Sequence, residues 1–250
     1  MKNNPGDNQS IRLNRLLAQY GLCSRRKADE WIAAGRVSIN GLVCRQLGAA
    51  VDPETQQIAV DGVLLTERPA IYYIALNKPK GVVTTRQDPQ GRRTVMDLLS
   101  PEHRKAGVFP VGRLDHDSEG LLLITNDGDW SQILLHPRHI VWKKYRVQTD
   151  KPMTETIRKK FSQGVKLEEK TTLPARVSHP AKDSCSGTVF HLSIREGRNR
   201  QIRRMCAAAG LNILSLKRLS VGPIELGDLP SGAWRTLTTE ETQTVFHLGD

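Results

Sequence analysis

The chain has 250 residues, with 37 Lys plus Arg against 26 Asp plus Glu and a formal charge of +11 at pH 7. That length supports one large domain or two smaller ones, each with its own core. Hydrophobic residues at 38% and charged residues at 25% are too evenly mixed for wholesale disorder. No apolar run approaches the ~18–20 residues of a membrane span. The opening MKNNPGDNQS lacks an apolar h-region, so the sequence reads as neither membrane-embedded nor secreted. Cys23, Cys44, Cys185 and Cys206 are too widely spaced for a zinc knuckle or a CxxC pair and read as reduced cytosolic thiols. The sequon Asn8-Gln9-Ser10 reads as a chance match.

In chain order, Leu13, Leu16, Leu17 and Tyr20 follow the i, i+3, i+4, i+7 pattern of an amphipathic helix that Gly21 ends. Ser24 caps a second helix with Ala28, Trp31 and Ile32 inward and Gly35 as its stop. Short strands follow around 37–39, 43 and 58–60, separated by Asn40-Gly41 and Asp61-Gly62 turn signals. Arg25, Arg26 and Lys27 occupy the first turn of the second helix, where the dipole disfavours cations. Arg12 and Arg15 are placed on the first. The run RLNRLLAQYGLCSRRKADEWIAAGRVSINGLV resembles the S4 RNA-binding domain. The resemblance covers residues 11–65 and implies that Arg12, Arg15, Arg25, Arg26 and Lys27 contact phosphates.

Residues 66–70, TERPA, form a linker, and the texture changes over 71–250. Strand patterns fall at 72–76, 120–125, 144–148, 188–194 and 213–219, and helical ones at 94–99, 128–136, 154–163 and 201–209. Strands dominate without regular alternation, which predicts an α+β domain with a mixed, mainly antiparallel sheet.

Charge is unevenly placed. Residues 191–218 carry seven basic groups and one acidic group, whereas residues 219–250 carry one and five. Four arginines (Arg198, Arg200, Arg203, Arg204) fall within seven positions at the start of a helix whose buried face is Ile202, Met205, Cys206 and Ala209. So dense a cluster points to phosphates or an acidic catalytic group as its partner. The segment VGRLDHDSEG places two carboxylates and an arginine in a loop before the apolar strand LLLI, where scaffolds present catalytic groups. Adjacent Asp115, His116 and Asp117 rarely converge on one ion, so a metal is not expected. WKKYRV sets an aromatic residue among cations, a composition suited to stacking on bases. NKPKGVV read alone says only loop.

NKPKGVV, GRLDHDSEGLLLITNDG, KKYRV and EGRNRQIRRM, in that order, resemble the bacterial ribosomal RNA pseudouridine synthases of the RsuA type. The resemblance spans essentially the whole chain. It implies isomerisation of uridine in ribosomal RNA, with 23S favoured over 16S and with no metal or cofactor. Asp115 falls on the family's essential aspartate, acting by covalent attack or by proton removal. It further implies an ion pair from Arg203 to Asp115, stacking of the extracted uracil on Tyr145, and Ile202 across the pocket. Arg113 would fill the space that a flipped nucleotide vacates. Lys143, Lys144, Arg198, Arg200 and Arg204 would contact RNA. The expected setting is a cytoplasmic monomer acting on ribosomal RNA or a ribosome-assembly intermediate, without a membrane. Two other classes compete with this reading: a non-catalytic RNA-binding assembly factor, and a DNA-binding regulator using the first 35 residues as helix–turn–helix. The latter leaves residues 71–250 unexplained.

Overall fold

The structure, a computed structural model, describes residues 10–168, 170–178, 181–183 and 187–249. Cys185 and the Asn8-Gln9 part of the sequon lie outside the described residues. Two compact units divide the chain. The first runs to Tyr72 and takes in Ser100–Val108; the second comprises Tyr73–Leu99 and everything from Phe109 onward.

In the first unit, β1 (Ile11–Arg12) leads into α1 (Leu13–Gln19) and α2 (Arg25–Ala33). Then come β2 (Val37–Ile39), β3 (Leu42–Cys44), β4 (Ala50–Val51), β5 (Ile58–Val60) and β6 (Val63–Leu64), with α3 (Pro101–Lys105) added from later in the chain. The apolar stripe read from the sequence is the core: Leu13, Leu16, Leu17, Ala28 and Ile32 pack with Val37, Ile58 and Val60 and are buried. Ser24 Oγ accepts from Lys27 N at 3.2 Å, which caps α2 as expected. Arg12 differs from expectation in lying on β1 as the residue before α1, with extended backbone. Four of the strands form an antiparallel sheet in the order β3-β2-β5-β6, and β1 pairs with β4 in a separate two-stranded one.

The second unit is built on β7 (Tyr73–Lys78), β8 (Phe109–Pro110), β9 (Glu119–Thr125), α4 (Gly128–Leu135), β10 (Lys143–Thr149) and α5 (Glu155–Gln163). It continues with β11 (Lys166–Leu167), β12 (Lys170–Thr171), β13 (Arg176–Val177), β14 (Ala181–Asp183), β15 (Gly187–Ile194) and α6 (Gln201–Ala207). It ends with β16 (Ile213–Val221), β17 (Ile224–Glu225), β18 (Trp234–Thr236) and α7 (Thr239–Phe246). The main sheet runs β13-β15-β10-β16-β9-β7-β18, with β14, β17 and β8 pairing at its side. Its pairs are antiparallel except β16 with β9, which run parallel through Lys217↔Glu119 and Arg218↔Gly120. The mixed, mainly antiparallel α+β architecture is the one the strand spacing predicts.

β9 is buried along both faces, which explains its unbroken LLLI run. Leu121 and Leu123 join Trp130, Leu134 and Val245 in one cluster that also includes Ala75 and Val221. Among the described residues no helix is long and apolar enough to cross a membrane.

Candidate active site

Asp115 sits in a loop between β8 and β9 that the strand Tyr73–Lys78 and the turn after it hold in place. Thr84 Oγ1 donates to Leu114 O at 2.7 Å. Gly81 N donates to His116 O at 2.9 Å, and Ser118 N donates to Asp115 O at 3.1 Å. Lys78 is fully buried, and its Nζ donates to Pro79 O and Ser118 O, both at 2.9 Å. Burial pushes this ammonium down to about 8, against the opposing pull of Asp117, Asp115 and Glu119. The segment NKPKGVV, featureless when read alone, is therefore the clamp on the loop that carries Asp115.

The arginines of the second segment meet this loop. Arg200 precedes α6 in the left-handed region at φ 47 and donates from Nη1 and Nη2 to the two Asp117 carboxylate oxygens, each at 3.2 Å. Its Nη1 is also 3.9 Å from Asp115 Oδ2. Arg203, one helical turn on, reaches Asp117 Oδ2 at 3.1 Å and donates to Asp117 O at 3.0 Å. The ion pair expected between Arg203 and Asp115 is thus replaced by one between Arg203 and Asp117, with Arg200 the cation beside Asp115. The reason is local: with Arg200 as the capping residue, the first turn of α6 aims both guanidiniums at the same carboxylate. Burial raises the Asp117 carboxyl, but the Arg200 hydrogen bond and the Arg203 charge outweigh it and hold it below its ordinary value.

A cavity of about 760 Å³ brings together Asp115, Arg113, Lys143, Tyr145, Arg198, Arg200, Ile202, Arg203 and Arg218. Tyr145 and Ile202 are buried in its wall and Arg113 is exposed. Lys143, two residues before Tyr145 on β10, lines the same cavity, and burial with the nearby Arg218 charge pushes its ammonium down to about 8. Lys144, on the opposite strand face, is exposed and does not line the cavity. Arg198 is tied to Glu196 at 3.0 Å and to Thr171 O at 2.9 Å, and Arg204 to Glu168 at 3.1 Å. Trp142 is occupied by the Arg176 guanidinium, 4.1 Å from its ring centre. In the first unit Arg12, Arg25, Arg26 and Lys27 are exposed and Arg15 is half-buried, with Lys27 paired to Glu30 at 2.5 Å.

Reading by motif missed Lys78, Thr84, Asp117 and Arg218. A lysine closing a strand that opens with the apolar run Ile74, Ala75, Leu76 was the available signal for the first. Arg218 carried a similar one, in the strand LKRLSV.

Set beside known proteins, residues 72–208 match the RNA pseudouridylate synthase family and residues 11–56 match the S4 domain. The chain belongs to the RNA pseudouridylate synthase family. It is 37% identical over 240 residues to the ribosomal large subunit pseudouridine synthase B of Bacillus subtilis, covering 96% of this chain and 97% of that one. It is 38% identical over 241 residues to a dual-specificity RNA pseudouridine synthase of Escherichia coli, covering 96% and 79% respectively. A crystal structure of a pseudouridylate synthase superposes with a TM-score of 0.68 at 30% identity, covering 94% of this chain and all of that one.

Proposed function

We propose that this protein isomerises uridine to pseudouridine in ribosomal RNA, 23S rather than 16S, with Asp115 as the essential carboxylate. The observation that carries this reading is Asp115 and the Tyr145 ring in the wall of one cavity, with Arg200 and Arg203 at its edge. Uracil stacked within folded RNA does not reach a carboxylate inside a protein cavity, so the nucleotide is flipped out at a cost of about a few kcal/mol. Arg113, exposed beside the cavity, fills the vacated space. Tyr145 stacks on the extracted base and Ile202 closes the far side. Asp115 then takes up the sugar by covalent attack or accepts a sugar proton as the glycosidic bond breaks. The Arg200 guanidinium, its Nη1 3.9 Å from Asp115 Oδ2, sets a positive charge beside that carboxylate.

Docking is assigned to the unit built on residues 11–65, joined by 66–70 to the catalytic part within 71–250. Its exposed Arg12, Arg25, Arg26 and Lys27, with Arg15, contact phosphates, as do Lys143, Lys144, Arg198, Arg200 and Arg204 around the cavity. The protein works as a cytoplasmic monomer on ribosomal RNA or an assembly intermediate. The relative named for the large ribosomal subunit supports the 23S choice. The test is conversion of ribosomal RNA by purified protein. Wild type should form pseudouridine, and Asp115→Asn and Asp115→Ala should form none while binding RNA and melting like wild type. Full turnover by Asp115→Ala would overturn the assignment.

A further inference from the structure

We propose that Arg218 is a catalytic residue, donating a hydrogen bond to a carbonyl oxygen of the extracted uracil and stabilising the negative charge that the ring acquires when its glycosidic bond breaks. The inference rests on the function proposed above and adds the group that receives the leaving base.

Arg218 is 3% exposed, yet it lines the cavity with Asp115 and Tyr145. Its Nε donates to Leu121 O at 2.6 Å, which fixes the guanidinium plane. Its Nη2 is buried with no hydrogen-bond partner among the described residues. A buried guanidinium donor without an acceptor is costly to the fold and is a sign of an acceptor that arrives with a ligand. The backbone beneath it is held closely: a Cβ on Gly120 would stand 2.2 Å from Arg218 O, so only glycine lets β9 approach β16 here.

Sheet register identifies the acceptor. Arg218 is the cross-strand partner of Tyr145, so the two side chains rise from the same face as nearest neighbours. A base lying on the Tyr145 ring therefore has its edge at Arg218. A phosphate, tethered to nucleotides on both sides, stays at the cavity mouth with exposed cations such as Arg113. Only the extracted base reaches a side chain buried this deeply.

The chemistry gives the contact a purpose. The C1′–N1 bond breaks and its electron pair leaves with N1, so the free ring is an anion with charge spread over O2 and O4. The sugar C1′ either bonds to the Asp115 carboxylate or becomes a glycal by losing its C2′ proton to that carboxylate. The ring then turns about its C6–N3 axis, which exchanges N1 with C5 and O2 with O4. C1′ then bonds to C5 as its bond to the Asp115 carboxylate breaks or, on the glycal route, as Asp115 returns the proton to C2′; the C5 proton is lost and N1 gains one, so the product is an isomer of the reactant. Because the turn exchanges the two carbonyls, one fixed donor serves the ring before and after it. A donor placed in advance where charge develops is the general device of electrostatic catalysis.

The experiment compares full-length wild type, Arg218→Met and Arg218→Lys under single-turnover conditions. The ribosomal RNA substrates carry uridine, 2-thiouridine or 4-thiouridine at the modified position. Arg218→Met should slow uridine conversion about 10²–10³-fold, with RNA affinity within about threefold of wild type. That loss should shrink at least about fivefold on one of the thio substrates, whose sulfur is the weaker acceptor. Arg218→Lys, which keeps the cation, should retain more activity and show the same shrinkage, and it decides the matter should the methionine chain not fold. An Arg218→Met rate within about threefold of wild type, or an equal loss on all three substrates, rejects the role of Arg218 alone. A wild-type protein that converts no uridine in any ribosomal RNA rejects the proposed function and this assignment with it.

Discussion

Arg203 Nη2 lies 3.1 Å from Asp117 Oδ2 and donates to the backbone oxygen of the same residue at 3.0 Å. Arg200 donates to both oxygens of the same carboxylate. Asp117 thus aligns two cations next to Asp115 and neutralises part of their charge. Asp117→Asn should fold and bind RNA but react about 10–10²-fold more slowly, because the arginines lose the carboxylate that orients them. Single-turnover rates measured beside RNA affinities check this; an unchanged rate would leave Asp117 a surface partner only.

Gly120 pairs with Arg218 where β9 and β16 run parallel. Its φ is +105, and an added Cβ would meet Arg218 backbone atoms at 2.2 and 2.6 Å. Neither the clash nor the dihedral can be relieved by turning a flexible side chain. Gly120→Ala should therefore destabilise the second unit by about 2–4 kcal/mol, read as a lower denaturant midpoint, and should lower activity by moving Arg218.

Lys78 gives a pH dependence with a defined sign. Burial lowers its folded-state value from the ordinary 10.5 to about 8. Below pH 8 both folded and unfolded chains hold the proton and the cost of burying the charge is fully present. Between pH 8 and 10.5 the unfolded chain binds more protons, so stability rises with pH. Lys143, lowered to about 8 as well, adds the same sign. Tyr73, raised by burial and by Asp127, opposes them above pH 10. Comparing wild type with Lys78→Met at pH 7.5 and 10 cancels the shared groups. Wild type should gain on the order of 1–3 kcal/mol relative to the variant over that interval, measured by denaturant unfolding.

In the first unit, Arg25 and Arg26 are exposed at the start of α2, where they oppose the helix dipole. Replacing both with Gln should leave the melting temperature unchanged or slightly higher. RNA binding should weaken and the slope of log affinity against log salt should fall by about 1–2, one for each phosphate contact removed. An unaltered salt slope would place the RNA elsewhere on that unit.

Much of the fold was legible because its strongest signals are local. The Leu13, Leu16, Leu17 stripe, the Ser24 cap and the LLLI strand each state their burial in a short window. What escaped reading depends on distant partners. α3 at Pro101–Lys105 belongs to the first unit although it lies in the sequence between parts of the second, and no periodicity announces that recruitment. The Thr238 capping box of α7 is plain in TLTTEETQ, but so short a helix declares itself only where Val245 packs against the sheet. In the site, the loop before β9 and the arginine cluster stood out by composition. Which arginine meets which carboxylate depends on the Arg200 backbone at φ 47, and sequence spacing does not encode that. Lys78 and Arg218 looked like ordinary strand cations, and only their three-dimensional burial distinguishes them.

Everything above turns on Asp115 as the group through which this chain modifies ribosomal RNA. That role is tested most directly by mapping pseudouridine across 23S and 16S ribosomal RNA from cells lacking the protein and from the same cells supplied with wild type or Asp115→Ala. One or a few 23S positions should lose pseudouridine without the protein, regain it with wild type, and stay unmodified with Asp115→Ala. An unchanged map without the protein, or full restoration by Asp115→Ala, would contradict that role.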